Sequence, residues 1–167
     1  MHSTFYKVLT INDGFISVMP KPYSGEWLDD DLKHLSKAGI TVIVSLLEIQ
    51  EACELGLSEE KKYCEINNIK YISFPIPDRC LPDSLTKFSR LSKKIYNLIA
   101  EGNGIAVHCR AGIGRSGILT ASVLLHAGYG PEEAFNLISK ARGTSVPDTE
   151  EQYNWIKNNY RRIIKSQ

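Results

Sequence analysis

Residues 107–117 read VHCRAGIGRSG, and the reading of this stretch decides the fold. It follows a short apolar run, GIAVHC at 104–109, and leads into a helical pattern over 117–126, so it is expected to join a strand to a helix. Glycines at 112, 114 and 117 let successive backbone N–H groups approach an anion without Cβ clashes. Gly112-Ile-Gly114-Arg-Ser-Gly117 fits G-x-G-x-x-G, the turn that sets a dinucleotide pyrophosphate on a helix N-terminus. A second reading also uses Cys109 and Arg115. The guanidinium is a planar fork suited to two phosphate oxygens. The same N–H groups, the helix dipole and the arginine would lower a cysteine pKa from about 8.5 into the range of about 3.5 to 7.5. The bland alternative is a buried core thiol at a strand end followed by a tight turn.

Outward from the loop, residues 84–100 carry Leu85, Phe88, Leu91, Ile95, Leu98 and Ile99 on one helical face, which Gly102 and Gly104 end. Residues 69–74 read as a strand stopping at Pro75, and 51–67 as a helix. The run TVIVSLL at 41–47 suits a strand buried on both faces. Before it, Leu28, Leu32, Leu35 and Ala38 mark a helix ending at Gly39. Two β-like runs flank Asn12-Asp13-Gly14, where Asp-Gly is expected to supply the positive φ of a hairpin turn. Downstream, 131–141 is a helix opened by Pro131, and 149–164 a helix whose Thr149-Glu-Glu-Gln152 fits a capping box. The alternation predicts a single α/β domain over 1–167. Its mostly parallel central sheet is flanked by helices on both faces, and the phosphate loop lies between a strand and a helix.

This order disfavours the dinucleotide reading. That fold returns from its glycine loop through a helix to a second strand ending in an acidic residue about 20 positions on. Here three helical patterns follow and no strand, so no cofactor is expected. Cys53, Cys64, Cys80 and Cys109 are scattered without C-x-x-C spacing, which predicts neither a metal site nor a disulfide framework. With 167 residues, 43% hydrophobic and 23% charged, the chain has the composition of a soluble globular domain. A net charge of +1 gives no global attraction to nucleic acid or an anionic membrane, so any anion preference must be local. MHSTFYKVLTINDGF has no leader pattern, and no run approaches the roughly 20 apolar residues of a membrane span. A cytoplasmic monomer is expected.

His108-Cys109-Arg-Ala-Gly-Ile-Gly-Arg115-Ser116 resembles, residue by residue, the H-C-x5-R-[ST] signature of cysteine-dependent protein tyrosine and dual-specificity phosphatases. Its place two-thirds along a short chain is similar to the compact dual-specificity branch. The resemblance implies Cys109 as nucleophile and Arg115 as binder of the phosphate and its transition state. The backbone of Arg110, Ala111, Gly112, Ile113 and Gly114 would cradle the phosphate. Ser116 would donate to the departing sulfur, and His108 would orient the loop. A general acid is implied from an upstream loop, PIPDRCLPD, where Asp78 is preferred to Asp83, whose place before a helical run suits an N-cap.

Three further residues keep two readings each. Gln152 either positions the hydrolytic water or only closes its capping box. Glu48, just past the VSLL strand, either braces Arg115 or is a solvated loop residue. Arg142 either touches substrate or caps its helix end. Cys80 could pair with an oxidised Cys109, although an incidental loop cysteine is the simpler reading. A loop without lysine points to phosphorylated proteins as substrates and partners, phosphotyrosine first and phosphoserine or phosphothreonine where a shallow pocket admits them.

Overall fold

The structure is a computed structural model that describes residues 1–166. Its centre is a five-stranded sheet in the order β1-β2-β5-β3-β4, with β1 at Tyr6–Ile11, β2 at Gly14–Met19, β3 at Val42–Ser45, β4 at Lys70–Ser73 and β5 at Gly104–His108. Only the β1–β2 hairpin is antiparallel, and β2–β5, β5–β3 and β3–β4 all pair parallel. Every residue of β2, β3 and β5 is buried, as expected of parallel strands covered on both faces. The hairpin is thus no peripheral entry, because β2 lies directly against β5. Its turn also differs from expectation. Asn12, with φ of 53°, adopts the left-handed conformation, which asparagine tolerates better than most residues. Gly14 is needed for a different reason, since a Cβ there would fall 2.0 Å from the Ile99 carbonyl oxygen.

The helices divide between the two faces. On one, α1 (Leu28–Lys37) and α3 (Glu60–Ile66) pack Leu28, Leu32, Leu35 and Cys64 against Ile43 and Ala106. On the other lie α4 (Leu85–Ala100), α5 (Arg115–His126), α6 (Pro131–Arg142) and α7 (Glu150–Ile164). Their Phe88, Ile95, Leu119, Phe135 and Ile156 join Ile16, Val44 and Val107 in the larger core. Each such aliphatic or aromatic side chain withdrawn from water stabilises the fold by roughly 1.5–3 kcal/mol. The α5 helix is buried through its first eleven residues, which fixes the loop before it against the sheet.

Two expectations change. The helix expected over 51–67 is two short helices, α2 (Ile49–Glu54) and α3, separated where Gly56 takes φ of 73°. The N-cap of α4 is Ser84, whose hydroxyl accepts from the Lys87 N–H at 3.2 Å, and Asp83 stands exposed one residue earlier. No helix among the described residues is long and apolar enough to cross a membrane.

His126, at the end of α5, has Nε2 3.0 Å from the Ser92 hydroxyl. Burial first, and then the charge of Lys93, push its pKa from the usual 6.5 down to about 4. Between those values the unfolded chain binds a proton that the folded chain refuses, so stability is complete above pH 6.5 and falls as the pH drops toward 4. His126→Gln is expected to flatten the melting temperature in that window, and matching slopes in variant and parent would contradict the assignment.

Candidate active site

The carboxyl ends of β2, β3, β4 and β5 lie on one edge of the sheet, and the chain leaving each contributes to a single site. From β5, residues 109–114 form a loop that passes directly into α5. Gly112 needs its φ of 74°, and a Cβ there would come within 2.5 Å of the Met19 backbone at the end of β2. The loop is tied from outside at two carbonyls. Lys21 N–H donates to Arg110 O at 3.1 Å, and Arg142 Nη2 donates to Ala111 O at 3.1 Å. Arg142 therefore ties the loop and does not cap α6, whose end is closed by left-handed Gly143. Its guanidinium lies 4.7 Å over the Tyr6 ring and holds the loop from behind.

Cys109 is 3% exposed, with its sulfur 3.3 Å from the Ser116 hydroxyl. Burial works against the thiolate. The Ser116 hydroxyl, the N–H groups of Ser116 and Gly112, and the Arg115 charge outweigh it and hold the thiol below its usual range. Arg115 is 2% exposed and extends from the first position of α5 beneath the loop. Its Nη1 donates to Glu51 Oε1 at 2.7 Å and to Ile76 O at 2.9 Å. Its Nη2 donates to Glu51 Oε2 at 2.9 Å and to Asp78 Oδ1 at 3.0 Å. The Nε–H takes none of these partners.

The brace on Arg115 is therefore Glu51 and not Glu48, which lies exposed at the N-cap position of α2 without a side-chain cap bond. Glu48 precedes the helix in extended backbone, with φ of −70° and ψ of 155°, so its side chain leaves in a different direction from that of Glu51 in the first turn. The arginine's hydrogen bond, first among the causes, pulls the Glu51 carboxyl below its usual range.

Asp78, on the loop after β4, is half-exposed and lines the same cavity as Cys109 and Arg115, while Asp83 does not. This cavity of about 250 Å³ has Ala111 and Ile113 as its apolar lining, with Arg79 and Asp148 at the wall. Arg79 Nη1 lies 3.1 Å from Asp148 Oδ2, which links the Asp78 loop to the segment before α7. That pair gave no signal in the sequence, where its members are far apart and each sits in an ordinary loop. Cys80 is an exposed free cysteine, and it meets the site through its carbonyl.

Gln152 is fully buried. Its backbone N–H donates to Thr149 Oγ1 at 3.1 Å and its side-chain Oε1 accepts from Thr149 N–H at 3.2 Å, which closes the capping box. The same amide reaches Cys80 O at 3.5 Å, and it would lie 3.1 Å from a Cβ at Gly114. Gln152 is thus a helix cap whose side-chain amide also lies beside Gly114 of the loop. His108 is buried behind the loop, with Nδ1 3.0 Å from Cys109 O and Nε2 2.6 Å from Glu60 Oε1. Glu60 was hidden in the sequence, because it reads as one more charge in the run Glu59-Glu60-Lys61-Lys62.

This geometry agrees with the likeness of the chain to known proteins. Protein 197R of Invertebrate iridescent virus 6, named as a tyrosine phosphatase, is 33% identical over 110 residues, which are 62% of this chain and 40% of that protein. Protein tyrosine phosphatase type IVA 3 of Mus musculus is 28% identical over 133 residues, 78% of this chain and 71% of the relative. The crystal structure of kinase associated phosphatase, with serine in place of its catalytic-site cysteine, superposes with a TM-score of 0.86. The overlap covers 100% of this chain and 98% of that one at 18% identity, a likeness of fold. Residues 18–129 match the family described as "Polymorphic toxin system, DSP-PTPase phosphatase", and the chain belongs to that family, within the cysteine-dependent tyrosine and dual-specificity phosphatases.

Proposed function

We propose that this protein hydrolyses phosphotyrosine in proteins, and phosphoserine or phosphothreonine where these reach the thiolate, through a phosphocysteine intermediate. The observation that carries the reading is a buried sulfur held below the usual thiol range at the base of a loop whose N–H groups and arginine converge on it. The Cys109 thiolate attacks phosphorus, forming the S–P bond as the P–O bond to the side chain of the substrate breaks. The incoming phosphate takes two oxygens to the Nε–H and Nη2–H of Arg115 and displaces Asp78 from the latter. Asp78, once released and protonated, gives its proton to the leaving oxygen, which would otherwise depart as an unstable anion. Water then cleaves the S–P bond, with Asp78 taking a proton from that water and the Ser116 hydroxyl donating to the sulfur as it leaves. The Gln152 amide beside Gly114 is in reach of the attacking water's side of the loop.

The absence of lysine from the loop supports phosphorylated protein as the substrate class. Ala111 and Ile113 offer apolar contact to a tyrosine ring. A panel of phosphopeptides and phosphoinositides, with Cys109→Ser as control, tests this. Faster turnover of phosphoinositides would overturn the class.

Cys109→Ser and Arg115→Lys are expected to abolish release of phosphate from an aryl phosphate, and normal turnover by either would refute the mechanism. If the parent chain binds phosphotyrosine without turning it over, it is a recognition module instead. Activity should rise with pH as Cys109 ionises, below the ordinary thiol range, and fall at higher pH where a general acid is no longer available. Asp78→Asn should cost about 10²- to 10⁴-fold and flatten the alkaline limb, while Asp83→Asn leaves it in place. The opposite pattern would move the acid to Asp83. Glu51→Gln, which breaks the bidentate pair on Arg115, is expected to lower kcat/KM by roughly tenfold or more. Glu48→Gln should leave it unchanged, and equal effects would deny the assignment of the brace.

A further inference from the structure

The strand residue just before Cys109 carries a buried pair that the phosphoryl chemistry does not use. His108 ends β5 with its side chain fully buried, facing Cys109 O through Nδ1 at 3.0 Å and Glu60 Oε1 through Nε2 at 2.6 Å. Both partners are acceptors, the carbonyl always and the carboxylate when ionised. A neutral imidazole has one N–H and can serve only one of them. Lone pairs would then oppose each other across 2.6 Å or 3.0 Å in a dry interior. An imidazolium serves both.

Glu60, at the start of α3, is 1% exposed, and its Oε2 has no hydrogen-bond partner. Among the described residues no other side chain bonds this carboxylate, and a buried, half-partnered carboxylate is costly for stability alone. The remaining groups around it stay neutral. Burial first, and then the Glu60 charge, push the Cys64 thiol up on α3 and the Tyr71 hydroxyl on β4 up to about 12, with Glu65 adding to the effect on Cys64. Among the described residues, His108 is the basic group that pairs with the carboxylate. Burial opposes its charge, and the Glu60 carboxylate, the Cys109 carbonyl and the Cys109 sulfur outweigh burial and raise it.

We propose that Glu60 is a positioning residue for the nucleophile: its carboxylate holds His108 as an imidazolium, which grips the Cys109 carbonyl and favours the thiolate from the strand side. The inference rests on the reading of Cys109 as nucleophile. Arg115 and Ser116 stabilise the sulfur from the helix side, with Glu51, Asp78 and the more exposed Arg110 arranged around that arginine. His108 supplies the matching charge from the opposite side of the loop.

Glu60→Gln tests the role without emptying the site. The glutamine N–H can donate to Nε2 of a neutral ring that still gives its Nδ1–H to Cys109 O, so each hydrogen bond survives while both charges are lost. The pH dependence of Cys109 alkylation by iodoacetamide, with Cys109→Ser giving the background from Cys53 and Cys80, is expected to shift upward by about half a unit. The acid limb of kcat/KM should move with it. A variant that melts like the parent and keeps the parent midpoint would overturn the proposal. Should Glu60→Gln not fold, nitrogen-15 histidine spectra of the parent chain decide. Both His108 ring nitrogens are expected to be protonated near pH 8, and a singly protonated ring would sink the idea. An active Cys109→Ser would instead fell the nucleophile reading itself, so the two failures can be told apart.

Discussion

A sulfur kept out of water can hold negative charge only if its positive partners are kept out of water with it, and those partners then need counter-charges of their own. Cys109 and Arg115 are 3% and 2% exposed, so neither can lean on solvent. The guanidinium answers with four donated hydrogen bonds, two of them to the Glu51 carboxylate. A buried arginine lacking that carboxylate would cost several kcal/mol. The surrounding elements are arranged to deliver such partners: β3 leads into α2 and Glu51, β4 into the loop of Ile76 and Asp78, and β5 into Cys109 itself. Because these three strands pair parallel in the order β5-β3-β4, their carboxyl ends bring the groups to one crevice, where open α/β sheets usually bind ligands.

The features legible in the sequence are those that a local pattern encodes. Apolar runs at 41–47 and 104–109, the helical stripe from Leu85 to Ile99, and the Thr149–Gln152 box all mark elements that the structure contains. The cysteine-to-arginine spacing was legible for the same reason, since loop and helix start are contiguous. Long-range partners were not. Choosing Glu51 over Glu48 requires knowing where α2 begins, and a six-residue helix whose start no glycine or proline marks leaves almost no periodic signal. Glu60 shows the same difficulty, because a charged run is ordinarily a solvated face and only the packing of α3 under β5 turns one of its members inward. The turn at Asn12 and the cap at Ser84 missed expectation by one or two residues, as local rules do where two neighbouring residues both fit the role.

Glycine-rich loops are permissive by nature, so the shape of residues 109–114 must be imposed from outside. Lys21 and Arg142 fix two successive carbonyls outward, which leaves the peptide N–H groups free to turn inward. Met19 closes against Gly112 at a distance where a Cβ would not fit, and Asp148 and Gln152 close against Gly114, where a Cβ would be crowded at 3.0–3.1 Å. The loop is thus clamped between the end of β2 and the start of α7. The G-x-G-x-x-G likeness follows from these close approaches, which place glycine at 112 and 114 for packing reasons that have no bearing on a dinucleotide.

The Asp78 loop is held differently. Asp78 is half-exposed and accepts from the Arg115 Nη2–H, a donor that an incoming phosphate would also require on the proposed mechanism. Its loop is anchored through Ile76 O to the same arginine, through Cys80 O to Gln152, and through Arg79 to Asp148. Those three ties leave the Asp78 carboxylate as the part free to exchange partners. On the proposed mechanism, displacing it from Arg115 would require a side-chain rotation and no opening of the loop, which would make binding of the phosphate and release of the acid one event at one guanidinium.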